Sequence, residues 1–257
     1  MSDVLLSTLE QGVLTLTLNR PERLNALSNA LLADLTRALD EGVAAGARAV
    51  LVTGAGRAFC SGADLAAQLG TDMDAGEILA TYYHPLFLRL AGLDVPVVSA
   101  VNGPAVGAGA ALALAADIVV AADTAYFQLG FVNIGLVPDA GATWLLARSV
   151  GRARTLEMAL LGEAMSAQEA QACGLVARIA PEAALMAQAQ GIARRLADGP
   201  TVAIGLIRKQ VASALDQGLG ATMATEAQHQ ACAARTADFR EGVAAFLEKR
   251  DPAFRGR

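Results

Sequence analysis

Apolar positions along the chain change period repeatedly, and these changes predict its elements. Leu14, Leu16 and Leu18 alternate with Thr15 and Thr17, the period of two of a half-buried strand. A short apolar run precedes them at 4–9 with Gln11-Gly12 between, so the two read as a hairpin. Helical period over 31–45 and 78–90 then alternates with compact apolar runs at 49–53, 96–101 and 117–121, which read as strands buried on both faces. Apart from Val106, the stretch 106–116 is Ala, Gly and Leu. It reads as a helix whose small side chains let backbone approach backbone or a ligand. Helices are predicted over 141–149 and 152–161, and Ser166-Ala167-Gln168-Glu169 is a capping box opening a further one. Such alternation of strand and helix defines an α/β fold.

Strand-like runs stop near residue 200. Helical segments follow at about 201–217, 221–235 and 238–249, with apolar stripes through Ile204, Ile207 and Val211 and through Val243, Phe246 and Leu247. Those stripes are wide for a small appendix, and a partner subunit is the economical cover for them. The chain therefore divides into an α/β core over 1–200 and a helical oligomerisation region over 201–257.

Composition narrows the functional classes. In 257 residues, 54% apolar and 18% charged side chains indicate a folded globule. Lys plus Arg number 20 against 25 Asp plus Glu, a net charge of -5 with no basic stripe, so no nucleic-acid partner is expected. Cys60, Cys173 and Cys232 are odd in number and far apart, which suits reduced thiols in a cytoplasmic protein. With His84 and His229 the only histidines, no zinc-type ligand cluster is expected. The N-terminus has no basic n-region and does not read as a signal peptide. Residues 95–116 form 22 uncharged positions, about the length that spans a bilayer. Pro96, Ser99, Asn102, Gly103 and Pro104 interrupt them and Asp94 and Asp117 flank them, so strand, turn and helix is the reading, with no membrane span.

Two glycine loops follow predicted strands, Gly54-Ala55-Gly56 and Gly107-Ala108-Gly109. Phe59 and Leu112 stand where a dinucleotide fingerprint needs its third glycine, and neither loop has the Gly-Lys-Ser/Thr ending of a phosphate loop. Each instead places small residues ahead of a helix, where backbone N–H groups favour negative charge. Two such loops aimed at one point form an oxyanion hole.

Four separated segments, in order, carry a resemblance over essentially the whole chain. They are Leu18-Asn19-Arg20-Pro21-Glu22-Arg23-Leu24-Asn25-Ala26-Leu27, Phe59-Cys60-Ser61-Gly62-Ala63-Asp64-Leu65, Ala100-Val101-Asn102-Gly103-Pro104-Ala105-Val106-Gly107-Ala108-Gly109 and Gly135-Leu136-Val137-Pro138-Asp139-Ala140-Gly141. Together they resemble the crotonase superfamily of enoyl-CoA hydratases and isomerases. The resemblance implies a spiral core of ββα turns, a C-terminal helical trimerisation region, trimers or dimers of trimers, and an acyl-CoA thioester substrate with no separate cofactor and no metal. It also implies an oxyanion hole made by backbone N–H groups matching Ala63 and Ala108. The second position is usually glycine, but alanine keeps the N–H.

Hydratases of this family use two glutamates, and the matching positions here are Ala111 and Phe131. Asp139 is the remaining carboxylate. By spacing alone it reads as an N-cap of the helix near Gly141. However, the Pro-Asp turn, Thr143-Trp144-Leu145-Leu146 and the ending Glu241-Gly242-Val243 through Ala245-Phe246-Leu247 resemble the 1,2-epoxyphenylacetyl-CoA isomerase type. There the matching aspartate is the single acid/base. The leading expectation is thus an acyl-CoA isomerase in which Asp139 shuttles a proton. The alternatives are an enoyl-CoA hydratase, an aroyl-CoA dehalogenase with Asp139 as nucleophile and a histidine matching His84, and a non-catalytic acyl-CoA-binding trimer. For the CoA portion, the resemblance points to Arg23, Asn25 and Ala26, to Ala63, Asp64 and Leu65, and to Phe246 and Lys249 reaching a neighbouring subunit's ligand. Tyr82, Tyr83, His84, Leu86 and Phe131 are the candidate acyl-pocket residues, and the variable stretch 66–83 shapes the tunnel.

Overall fold

The computed structural model describes residues 3–68 and 74–257. Residues 69–73 of the expected tunnel wall lie outside the described residues. The strands, in chain order, are β1 (Leu5–Glu10), β2 (Val13–Leu18), β3 (Ala49–Gly54), β4 (Val97–Val101), β5 (Ala105–Val106), β6 (Ile118–Ala122), β7 (Tyr126–Gln128), β8 (Ala164–Ser166) and β9 (Arg178–Ala180). The helices are α1 (Asn29–Ala44), α2 (Leu65–Gln68), α3 (Ala75–Ile78), α4 (His84–Gly92), α5 (Ala108–Leu114), α6 (Ala142–Leu161), α7 (Ala167–Ala172), α8 (Leu185–Ala197), α9 (Thr201–Ala214), α10 (Leu219–Ala233) and α11 (Ala237–Glu248).

The hairpin forms as expected: β1 and β2 are antiparallel from Leu5↔Leu18 to Glu10↔Val13. Gln11 and Gly12 turn it at φ 50 and 80, the left-handed pair whose twist matches that of the strands. The main sheet then runs parallel in the order β1-β2-β3-β4-β6-β9. Every residue of β4 is buried, as are the first five of β3, because helices cover the sheet as parallel strands require. Helix α8 packs on β3, β4 and β6, while α1 packs on the hairpin and on α4. A second, three-stranded sheet orders β5-β7-β8. Its strands are only two or three residues long, too short for a periodicity to reveal.

Two sequence expectations change. The helix placed over 106–116 begins only at Ala108, because Ala105 and Val106 pair with Phe127 and Gln128 in β5–β7. The helix expected over 78–90 is interrupted by a π turn at Leu79–Tyr83 between α3 and α4. Pro85 has no N–H to donate and its ring would clash with the carbonyl four residues back in a regular helix, and the wide turn precedes it. The two helices expected over 141–149 and 152–161 are both present within α6, separated at Gly151, whose φ 75 and ψ 171 are not helical.

The C-terminal helices are fastened to the sheet by two arginines. Arg48, just before β3, donates to Thr201 Oγ1 at 2.9 Å and to the carbonyls of Gly199 and Phe254. Arg208 of α9 pairs with Asp117 at 2.6 Å and donates to the carbonyls of Leu90 and Leu93. Among the described residues no helix is long and apolar enough to cross a membrane.

Candidate active site

The site begins with a loop that cannot stand alone. Leu24 and Asn25, after a short 3-10 turn at Pro21–Arg23, adopt φ 50 and 58, a conformation that costs a non-glycine residue energy and persists only where its surroundings fix it. Asn25 supplies much of that fixing. Its Oδ1 accepts from Arg20 N–H at 2.9 Å, and its Nδ2 donates to the carbonyls of Ala55 and Ala58 at 2.9 and 2.8 Å. The side chain is fully buried, so it braces the loop from inside and has no face left for a ligand. Arg20 donates to Ala26 O at 2.6 Å and pairs with Asp64 at 2.7 Å. The Arg20 hydrogen bond holds the Asp64 carboxyl below the usual carboxylate range, so Asp64 also serves the brace. Arg23 is exposed beside it.

That loop is stitched to the segment ahead of α2. Leu27 N–H donates to Gly62 O at 2.7 Å, and Asp64 N–H donates to Leu27 O at 3.1 Å. The same segment meets the turn ahead of α5: Val106 N–H donates to Cys60 O at 2.9 Å. Gly62, at φ 94, lies so near this turn that a Cβ on it would stand 2.9 Å from Val106 O and 3.6 Å from Ala108 N. Two backbone segments therefore meet here. The first is not the Gly54-Ala55-Gly56 loop, which leads into Phe59 and Cys60 and is pinned by Asn25 and Asn102, but the Gly62-Ala63 turn further along. Among the described residues neither the Ala63 nor the Ala108 N–H has a hydrogen-bond acceptor.

Glycine is required at two more points of this junction. Gly107 turns the chain at φ 55, and a Cβ on Gly109 would fall 2.4 Å from Cys60 O and 2.8 Å from Cys60 Sγ. Sequence reading did not connect Gly109 with Cys60, because only the parallel pairing of Cys60 with Ala105 brings them together. Burial pushes the Cys60 thiol up to about 12, which makes it an inert packing group.

Around the junction the walls are apolar. Ala111 is buried in α5, and the buried Phe131, in the 3-10 turn Gly130–Ile134, packs on Gly107. Tyr83 and Leu86 are buried on the π turn and α4, with Leu65 and His84 exposed; Tyr82, expected in the acyl pocket, instead lines a groove with Ala33, Thr36 and Asp40 of α1.

Asp139 precedes α6, which packs on α5. Its side chain does not cap that helix: the N-cap position is Gly141, without a side-chain hydrogen bond. Asp139 Oδ1 is buried and has no hydrogen-bond partner. Burial raises the carboxyl pKa to about 6, against the opposing pull of its own backbone N–H and of nearby His84. A carboxyl with one oxygen unpartnered and with raised basicity is what proton transfer near neutral pH needs. The electrostatic pairing with His84 could not be read from spacing, since 55 positions of chain separate the two.

Phe246 and Lys249 lie apart from this cluster. Lys249 is the left-handed C-cap of α11, and Phe246 is 82% exposed. No group of three or more His, Cys, Asp or Glu side chains able to hold a metal ion occurs among the described residues.

Spiral α/β core, helical C-terminal region and paired backbone donors define a protein of the crotonase fold. The profile of the enoyl-CoA hydratase/isomerase family matches residues 8–257, and the chain belongs to that family. It is 45% identical to the 1,2-epoxyphenylacetyl-CoA isomerase of Escherichia coli K12, over 100% of both chains. It is also 45% identical to a Rhodobacter capsulatus protein named probable enoyl-CoA hydratase, over 97% of this chain and 96% of that one. The crystal structure of an enoyl-CoA hydratase from Bacillus anthracis superposes with a TM-score of 0.93 at 32% identity, covering 99% of this chain and 100% of that one.

Proposed function

We propose that the protein is an acyl-CoA isomerase that moves one proton along an enoyl thioester, with Asp139 as its single acid/base. The observation that carries this reading is the half-buried Asp139 carboxyl, its Oδ1 buried without a hydrogen-bond partner and its pKa raised to about 6, while the positions matching the family's two glutamates are the buried, apolar Ala111 and Phe131. For a 3-enoyl-CoA, the carboxylate takes the proton from C2 and the electron pair moves onto the thioester oxygen. The Ala63 and Ala108 N–H groups hold that charge, each donor being worth about 3 kcal/mol in the transition state. Protonated Asp139 then returns the proton at C4 as the C2–C3 double bond forms, so nothing is consumed and no cofactor beyond the substrate's own CoA is needed.

Arg23 and Lys249 are the cations offered to the CoA phosphates, and Phe246 and Lys249 would reach the ligand of a neighbouring copy. Exposed apolar side chains on the C-terminal helices, among them Ile207, Val211, Leu247 and Phe246, support a homotrimer or dimer of trimers. A large apolar face of this kind is ordinarily covered by a partner.

The hydratase names among relatives as similar as the isomerase keep water addition as the second reading. Incubating a 3-enoyl-CoA and, separately, a 2-enoyl-CoA with the enzyme in deuterated water, followed by mass spectrometry, tests both. The isomerase reading expects a shifted double bond in the first and little water addition in the second, with turnover cut at least about 100-fold by Asp139→Ala. Fast water addition to the 2-enoyl-CoA selects the hydratase.

A further inference from the structure

The turn that carries Asp139 contains two successive left-handed residues, Ala140 at φ 50 and Gly141 at φ 77. Glycine adopts this conformation freely, but alanine does so at a cost, because its Cβ crowds the following carbonyl. Ala140 is buried all the same, a member of the apolar core that also contains Ala142 and Leu146. The effect of this turn falls on its neighbour. An aspartate in the N-cap position ordinarily accepts a hydrogen bond from a free N–H of the helix's first turn. Because 140 and 141 are both left-handed, α6 starts at Ala142 with Gly141 as its cap. Asp139 sits two positions too early to serve, and its Oδ1 stays buried without a partner.

We propose that Ala140 is a positioning residue: its buried methyl pins a left-handed turn in which the Asp139 carbonyl, not its carboxyl, takes the first N–H of α6, leaving the carboxyl's Oδ1 buried and without a hydrogen-bond partner. The catalytic consequence rests on the isomerase reading above, whereas the conformational statement does not. Glycine at 140 removes the strain and also the anchor. Two adjacent glycines let the turn rearrange, and the buried Asp139 Oδ1 then gains access to water and to the N–H groups of the first turn of α6. The titratable group that acts on Asp139 electrostatically is His84, the first residue of α4, which favours the ionised carboxyl. It is unchanged in the test.

Ala140→Gly is the informative variant, because glycine tolerates φ 50 and the fold is not put at risk. The Asp139 carboxyl is followed by carbon-13 NMR titration, its signal assigned by loss in Asp139→Asn, alongside kcat and KM for a 3-enoyl-CoA. In Ala140→Gly the midpoint is expected to move from about 6 toward the ordinary carboxylate range. A kcat loss of about tenfold is expected with KM within about twofold, since misplacement of a catalytic group acts on the chemical step. An unchanged midpoint in Ala140→Gly overturns the proposal whatever the activity does. A shifted midpoint with unchanged kcat overturns the positioning role. If Asp139→Asn itself keeps full turnover, the isomerase reading fails, and the titration still decides whether Ala140 holds the carboxyl where it is.

Discussion

The Phe131 ring closes over Gly107: a Cβ on that glycine would stand 3.7 Å from Phe131 Cζ. The turn that presents the Ala108 N–H is therefore roofed by an aromatic ring at the position where the resemblance to family hydratases places a glutamate. An apolar roof gives water neither a hydrogen bond nor a base. Phe131→Glu should raise water addition to a 2-enoyl-CoA at least about tenfold, a modest part of what a positioned general base supplies. It should also lower the melting temperature, because a carboxyl enters an apolar site. Hydration unchanged in a folded Phe131→Glu variant would show that the ring is not what withholds water.

The contact between Gly109 and Cys60 makes a sharper demand. An alanine methyl at 109 would overlap the Cys60 carbonyl at 2.4 Å, backbone that cannot swing aside, so α5 must retreat and take the Ala108 N–H with it. Gly109→Ala is expected to cut kcat by about 100-fold, the scale on which loss of one oxyanion donor is felt. Gly191→Ala on α8, where a Cβ meets nothing within 4 Å, is the matched control and should leave kcat within about twofold. Similar kinetics in the two variants would refute the role assigned to the Gly109–Cys60 contact.

The hairpin, the buried parallel strands and the capping box at Ser166 were legible because each rests on a local pattern: alternation at Leu14, Leu16 and Leu18, compact apolar runs, and a four-residue reciprocal cap. What was not legible depends on contacts distant in sequence. Strands as short as Ala105–Val106 carry no period, yet their pairing with β7 delays α5 to Ala108. Spacing marked Asp139 as a helix cap, and only the left-handed pair Ala140 and Gly141 shows why it is not one. Asn25 was legible as a residue of the site's first loop, but its inward orientation emerges only from its three backbone partners.

Those partners separate two neighbours in that loop. Asn25→Ala strands the Arg20 N–H and the Ala55 carbonyl in a part-buried region, Ala58 O keeping only a 3.3 Å bond from Asn102 Nδ2, and an unsatisfied buried group costs about 1–3 kcal/mol. A loss of about 3 kcal/mol in urea unfolding is expected, together with weakened turnover as the Gly62-Ala63 turn loosens. Arg23, exposed two residues earlier, should behave in the opposite way. Arg23→Ala is expected to leave the unfolding midpoint unchanged and to raise KM for an acyl-CoA by about threefold or more, with the difference shrinking at high salt as screening weakens a charge contact. An unchanged KM would remove Arg23 from the CoA site.

Asp139 imposes a stability cost that the proposed proton-transfer role would explain. The folded protein holds this proton up to about pH 6, while the unfolded chain releases it near the ordinary value of about 3.9. Between those values the folded state binds more protons, so stability falls as pH rises through the window, and the whole penalty is present above about pH 6. A shift of about 2 units corresponds to at most about 3 kcal/mol, and partial exposure to solvent reduces it. Asp139→Asn, which cannot ionise, should therefore be about 1–2 kcal/mol more stable than wild type at pH 8. Its melting temperature should rise by about 2–8 °C at that pH, with the two proteins nearly equal at pH 4. The same variant should be inactive as an isomerase. A carboxylate kept for structure would give the reverse, a less stable mutant at pH 8, so thermal melts at the two pH values separate a group retained for chemistry from one retained for the fold.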